Sequence, residues 1–125
     1  VDFFFFFYDE YGHAGGDDVL VQLAQLLVAQ LRSIDLPARI GGEEFAVLMP
    51  GTPLAEAVTA AERLRLALQT TAVALRDGRA VHVTASVGLA QWGPGDADIE
   101  ATLKRADAAL YRAKAQGRNQ VCIED

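Results

Sequence analysis

The period of the apolar positions changes several times along the chain, and each change predicts an element. Residues 1–8 are aromatic and apolar almost throughout, a strand composition. "DEYGHAGGDD" (9–18) interrupts them with the glycines and acids of a loop that opens a helix. Leu20, Leu23, Leu27 and Leu31 then recur at helical spacing, predicting an amphipathic helix over 17–33. Asp17 and Asp18 suit its N-terminal end by capping and by the helix dipole, and Pro37 is expected to mark its exit. A short strand at 38–40, a Gly41-Gly42 turn and an apolar strand at 45–49 predict a hairpin, because glycine accepts the positive φ of tight turns. Thr52-Pro53 reads as a cap and first helical residue, opening a helix over 53–70 with Ala57, Ala60, Ala61, Leu64 and Leu68 on one face. Residues 73–91 predict two strands turning at Asp77-Gly78, the second alternating Val81, Val83, Ala85, Val87 and Leu89 with smaller or more polar residues. A last helix is expected to start after Asp98 and stop at Gly117, whose position suits a C-terminal cap, with Leu103, Ala106, Leu110 and Ala113 as its buried stripe, and a last strand at 121–123.

Strand, helix, hairpin, helix, strands, helix, strand is the order of an α/β domain: a single sheet of mixed or antiparallel strands flanked by helices. At 125 residues, without repeats or linker, the chain makes one domain, 1–125. The apolar share of 51% and charged share of 22% are those of ordinary globular proteins. No apolar run approaches a membrane span, so no membrane contact is expected. Cys122, the single cysteine, excludes an internal disulfide and points weakly to a cytoplasmic address. A net charge of −6 disfavours a nucleic-acid grip while leaving room for a small anionic ligand held by a few local donors.

The feature that composition leaves unexplained is "RIGGEEFAVLMPG" (39–51), where Glu43 and Glu44 stand at the mouth of an apolar strand. One reading is a solvated turn. The other is a phosphate and metal site, in which Gly41 and Gly42 admit a ligand to the backbone and an acid holds Mg²⁺. The string resembles the signature of the GGDEF family, the diguanylate cyclases, in its GGEEF variant. Four further fragments stand in the family's order: "DEYGHAGGD" (9–17), "RSID" (32–35), "TASVGLA" (84–90) and "ADAALYRAKAQGRNQV" (106–121).

The resemblance implies a fold similar to nucleotidyl cyclases and polymerase palms. It also implies condensation of two GTP into cyclic di-GMP, one GTP on each domain of a facing homodimer, with Mg²⁺ or Mn²⁺ as cofactor. By the same resemblance Glu43 is the metal-binding acid and proton acceptor, and Glu44 gives metal or substrate support. Asp17 matches the residue that reads the guanine edge, and its plain reading is a helix cap. Lys114 and Arg118 match phosphate contacts, where the bare sequence reads helix-end cations. Arg32 and Asp35 match the RxxD site that binds product and inhibits, joined by Arg63. The plain reading of that pair is an exposed i,i+3 contact. His13 and Tyr111 are read as structural, Tyr111 as core.

The match breaks in the first strand. The family's first metal-binding aspartate would fall before Val1, leaving Val1 to offer only its backbone carbonyl. Phe5 stands at the place of a phosphate-binding lysine, and Tyr8 at that of a guanine-reading asparagine. The family's N-terminal helices and the start of this strand are expected to precede the chain, and beyond them a sensor or receiver domain. Two readings remain: a fragment of an active cyclase, or an inactive domain that binds cyclic di-GMP or GTP as a receptor. Five consecutive phenylalanines are also expected to make a poor edge strand.

Overall fold

The computed structural model describes residues 3–9, 16–41 and 44–124, with side chains from residue 21 onward except at 41 and 81. Among the described residues seven strands and three helices follow in order: β1 (Phe3–Asp9), α1 (Gly16–Gln30), β2 (Leu36–Gly41), β3 (Glu44–Leu48), α2 (Leu54–Thr70), β4 (Val73–Ala74), β5 (Ala80–Val81), β6 (Ala85–Gln91), α3 (Ile99–Ala115) and β7 (Val121–Glu124). Five of the strands form one mixed sheet in the order β2-β3-β1-β6-β7, antiparallel except for the parallel pair β6 and β7. The short β4–β5 ribbon stands apart from it.

Leu23 and Leu27 of α1 and Leu64 and Leu68 of α2 pack with Phe45, Val47, Val87 and Leu89 in the main core. On the other face, Ala106 and Leu110 of α3 meet Ala46 and Ala90. The sheet is thus covered on both sides over β6, which explains a departure from the expected one-sided alternation. Ala85 through Ala90 are all buried, and Ser86 and Gly88 lie under α3 instead of facing water.

Other expectations are corrected in the same way. The first helix ends at Gln30, and Pro37 belongs to β2. That strand is an edge, where a residue without an N–H is tolerated. β1 lies between β3 and β6, so its phenylalanines occupy a central strand and no edge. Pro53 occupies the cap position of α2, and Thr52 makes no cap bond. The predicted second strand of 73–91 is divided into β5 and β6. Tyr111, expected in the core, is 74% exposed. Asp98 caps α3, accepting from the Ala101 N–H at 3.0 Å. Among the described residues no helix is long and apolar enough to cross a membrane.

Candidate functional site

The sheet register gathers most of the singled-out residues at one end. Tyr8 of β1 pairs with Glu44 of β3 on one side and with Ser86 of β6 on the other. Gly41 pairs with Glu44 where β2 and β3 approach the hairpin tip, after a register shift between Arg39 and Gly41. Asp17 stands in the first turn of α1, the element that follows β1 along the chain. Gly42, Glu43, Val1 and His13 lie outside the described residues, as do the side chains of Tyr8 and Asp17.

α3 runs back over β6 toward that end. The contact is close because Gly88 has no side chain: a Cβ there would meet the Ala106 carbonyl and the Leu110 backbone, with Leu110 Cα at 2.8 Å. The helix carries Lys114, half-buried, in its last turn. Gly117, at φ 117°, terminates it, and the Arg118 N–H donates to Ala113 O at 2.9 Å, a six-to-one closing bond. Arg118 and Asn119 follow at φ 65° and 47°, left-handed conformations that side-chain-bearing residues rarely adopt. The Asn119 N–H donates to Ser86 Oγ at 3.2 Å, fastening this loop to the residue opposite Tyr8. Glu44, Tyr8, Lys114 and Arg118 therefore stand on elements that converge.

Among the described residues no three His, Cys, Asp or Glu side chains gather into a metal-holding group. Glu44 is a half-buried carboxylate at the strand end, next in sequence to Glu43. Carboxylate oxygens of this kind are the hard donors that a Mg²⁺-class ion takes.

A second site lies at the opposite end of the hairpin. A cleft of about 280 Å³ is lined by Arg32, Asp35, Met49, Thr52, Glu56 and Arg63, among others. Arg32 Nη2 donates to Asp35 Oδ1 at 2.9 Å and its Nε lies 3.3 Å from both Asp35 oxygens. The Arg32 backbone N–H adds a bond to Oδ2 at 2.8 Å. Asp35 is 1% exposed at its side chain and Arg32 45%, so this is more than the surface contact that spacing alone suggests. The bond to Asp35 raises the Arg32 pKa above its ordinary value. Arg32 also donates to Thr52 Oγ1, and Thr52 in turn to Pro50 O at 3.2 Å. Arg63 reaches the same cleft from α2 while bonding Gln30 Oε1 and the Gln30 carbonyl at 3.2 and 3.1 Å. Sequence reasoning missed Thr52 and Glu56, which only the packing of α2 against the end of α1 brings here.

Residues 1–120 match the family described as diguanylate cyclase, GGDEF domain. This chain belongs to that family. Among GGDEF relatives, it is 48% identical over 123 residues to the response regulator PleD of Caulobacter vibrioides, covering 97% of this chain and 27% of PleD. The chain thus spans about a quarter of the length of that relative. Its fold superposes with a TM-score of 0.89 on the GGDEF domain of DgcB from Caulobacter crescentus, solved in complex with c-di-GMP, at 28% identity and covering 98% of this chain and 77% of that one. A TM-score of 0.86 relates it to an active GGEEF domain of a diguanylate cyclase from Vibrio cholerae, at 29% identity over 99% of this chain and 83% of that one. The GGDEF-type hairpin therefore carries Glu44 at its tip end and the RxxD pair, Arg32 and Asp35, just before its first strand.

Proposed function

We propose that this GGDEF domain is the catalytic unit of a diguanylate cyclase. It condenses two GTP into cyclic di-GMP, releases two pyrophosphates, and is restrained by product at the Arg32–Asp35 cleft. The observation that carries the reading is the convergence of Glu44, Lys114 and the Arg118 loop on one end of the sheet. Acids and cations at one place suit a triphosphate whose α-phosphate is attacked. In each half-reaction the 3′-hydroxyl oxygen of one GTP bonds to the α-phosphorus of the other. The α–β anhydride bond breaks, and the hydroxyl proton passes to a carboxylate, assigned to Glu43. Glu44 supports metal and substrate, Lys114 and Arg118 neutralise the phosphates, and Asp17 accepts from the N1–H and N2–H₂ of guanine. Gly41 and Gly42 leave room for the ligand, and Tyr8 offers a phenol where the family pattern has an amide. Glu43 and the Val1 carbonyl would hold Mg²⁺ or Mn²⁺, which supplies charge neutralisation and a more acidic hydroxyl when bound.

Two copies are needed, since one domain holds one GTP. A sensor or receiver domain earlier in the parent chain would control how the copies meet, and the assembly would work in the cytoplasm. The parent protein, incubated with GTP and Mg²⁺, is expected to form cyclic di-GMP, and Glu43→Ala to abolish it. No product at high protein concentration removes the proposal.

The second reading, an inactive receptor for cyclic di-GMP or GTP, is favoured by one specific observation. Phe5 and Tyr8 stand where the family pattern has a lysine and an asparagine, while the Arg32–Asp35 cleft is fully built. Calorimetry with cyclic di-GMP is expected to show binding that weakens by tenfold or more in Arg32→Ala, on the order of the loss of one charge-assisted contact. Unchanged affinity in that variant rules out the cleft as the product site.

A further inference from the structure

The loop that presents Arg118 is held by side chains from an element remote in sequence. Arg65, on α2, is 15% exposed at its side chain and uses its guanidinium on two sides. Its Nε and Nη2 bond both carboxylate oxygens of Glu62, at 3.2 and 2.8 Å. Its Nη1 donates to Asn119 Oδ1 at 3.0 Å, to the Asn119 carbonyl at 3.4 Å and to Gln69 Oε1 at 3.2 Å. The Asn119 Nδ2 returns a bond to Gln69 Oε1 at 3.0 Å, and the Asn119 N–H is taken by Ser86. Every polar group of Asn119 is therefore engaged, three of the four by the Arg65–Gln69 pair.

Such over-determination has a physical reason. Arg118 and Asn119 occupy left-handed backbone conformations, and those persist only where surrounding bonds hold them. Released from α2, the loop would relax toward ordinary φ values and change the direction in which Arg118 leaves the end of α3. A two-pronged grip on a carboxylate also fixes the guanidinium plane, which an ammonium cannot reproduce.

We propose that Arg65 is a positioning residue for phosphate binding: locked by Glu62, it clamps Asn119 and so fixes the direction of Arg118. The proposal rests on the phosphate role proposed for Arg118 and adds a residue that touches no substrate. Titration calorimetry of GTP and of guanosine against the full chain tests it, using Arg65→Ala, Arg118→Ala and the double variant. Each single change is expected to weaken GTP by about tenfold, the scale of one charge-assisted hydrogen bond. The double variant should be no weaker than Arg118→Ala, because Arg65 acts only through Arg118. Guanosine, which has no phosphate, should bind all four proteins equally, a result that general loosening of the domain would not give. Additive losses, or guanosine weakened along with GTP, overturn the proposal. Should Arg65→Ala fail to fold, Arg65→Lys keeps the charge without the fork and is expected to show the same phosphate-selective loss. GTP binding that weakens in Arg118→Ala but not in the Arg65 variant removes this proposal alone. Binding indifferent to Arg118, or absent from the unaltered chain, removes the phosphate reading beneath it.

Discussion

Gly88 shows how much one missing side chain decides. It lies under the backbone of α3 at Ala106 and Leu110, atoms that cannot rotate aside as a side chain could. Gly88→Ala is expected to destabilise the domain by about 3 kcal/mol or more, the upper range for overfilling a packed core. It should also weaken GTP binding if Lys114 and Arg118 hold phosphates as proposed, because α3 carries Lys114 and leads into the Arg118 loop. Chemical denaturation measures the first effect, and an unchanged midpoint would mean that the helix can shift freely. Sequence spacing marked Gly88 only as a small residue on an alternating strand. Tyr111 is the opposite case: its place near the buried stripe suggested core, yet its ring is turned to solvent, because the stripe is completed by Thr102, Ala109 and Ala113. Arg32 and Asp35 were legible as a pair from spacing and resemblance, but not that Asp35 is buried or that Thr52 closes the network. Those facts depend on a segment 17 residues further along the chain from Asp35.

Among the elements, the β2–β3 hairpin joins the two candidate sites. Its tip end carries Glu44, while the Arg32–Asp35 pair precedes its first strand and Met49 follows its second. Five strand residues separate these ends, roughly 17 Å. The loop between β6 and α3 is fastened as firmly. Asp96 accepts from Arg105 at 2.7 Å, from the Gly93 N–H at 2.9 Å and from Thr102 Oγ1 at 3.0 Å. Arg105 foremost, then Gly93, hold the Asp96 carboxyl well below its ordinary value of 3.8. The unfolded chain then binds this proton more readily than the folded one. The stability contribution is complete above the ordinary carboxylate range and is lost as pH falls toward the folded value. Denaturation midpoints followed downward from about pH 5 should fall less steeply in Asp96→Asn than in the parent, since that variant has no carboxyl to protonate. Equal slopes would show that the clamp is without thermodynamic effect. Sequence periodicity gave the start of α3 after Asp98 closely, since its apolar stripe is a local pattern. It missed the division of 80–91 into two strands, because the alternation continues across the break.

For the molecule as a whole, the layered α/β/α arrangement leaves one end of the sheet to Glu44, Lys114 and the Arg118 loop and the other to the Arg32–Asp35 cleft. If one domain carries one GTP, turnover requires an encounter of two copies. Specific activity of the parent protein is then expected to rise with its concentration until dimerisation saturates. A specific activity independent of concentration over two or three decades would favour catalysis within one copy and count against the facing arrangement.

The sequence by itself determined the family, the element order and the GGEEF hairpin, because these rest on local spacing and on motifs that stand in a fixed order. Tertiary structure alone decided that Asp35 is buried, that β6 is covered on both faces, and that Arg65 and Gln69 hold Asn119. Each of those depends on which helix lies against which strand, and the free energy of burial and of long-range hydrogen bonds leaves no period in the chain from which to read it.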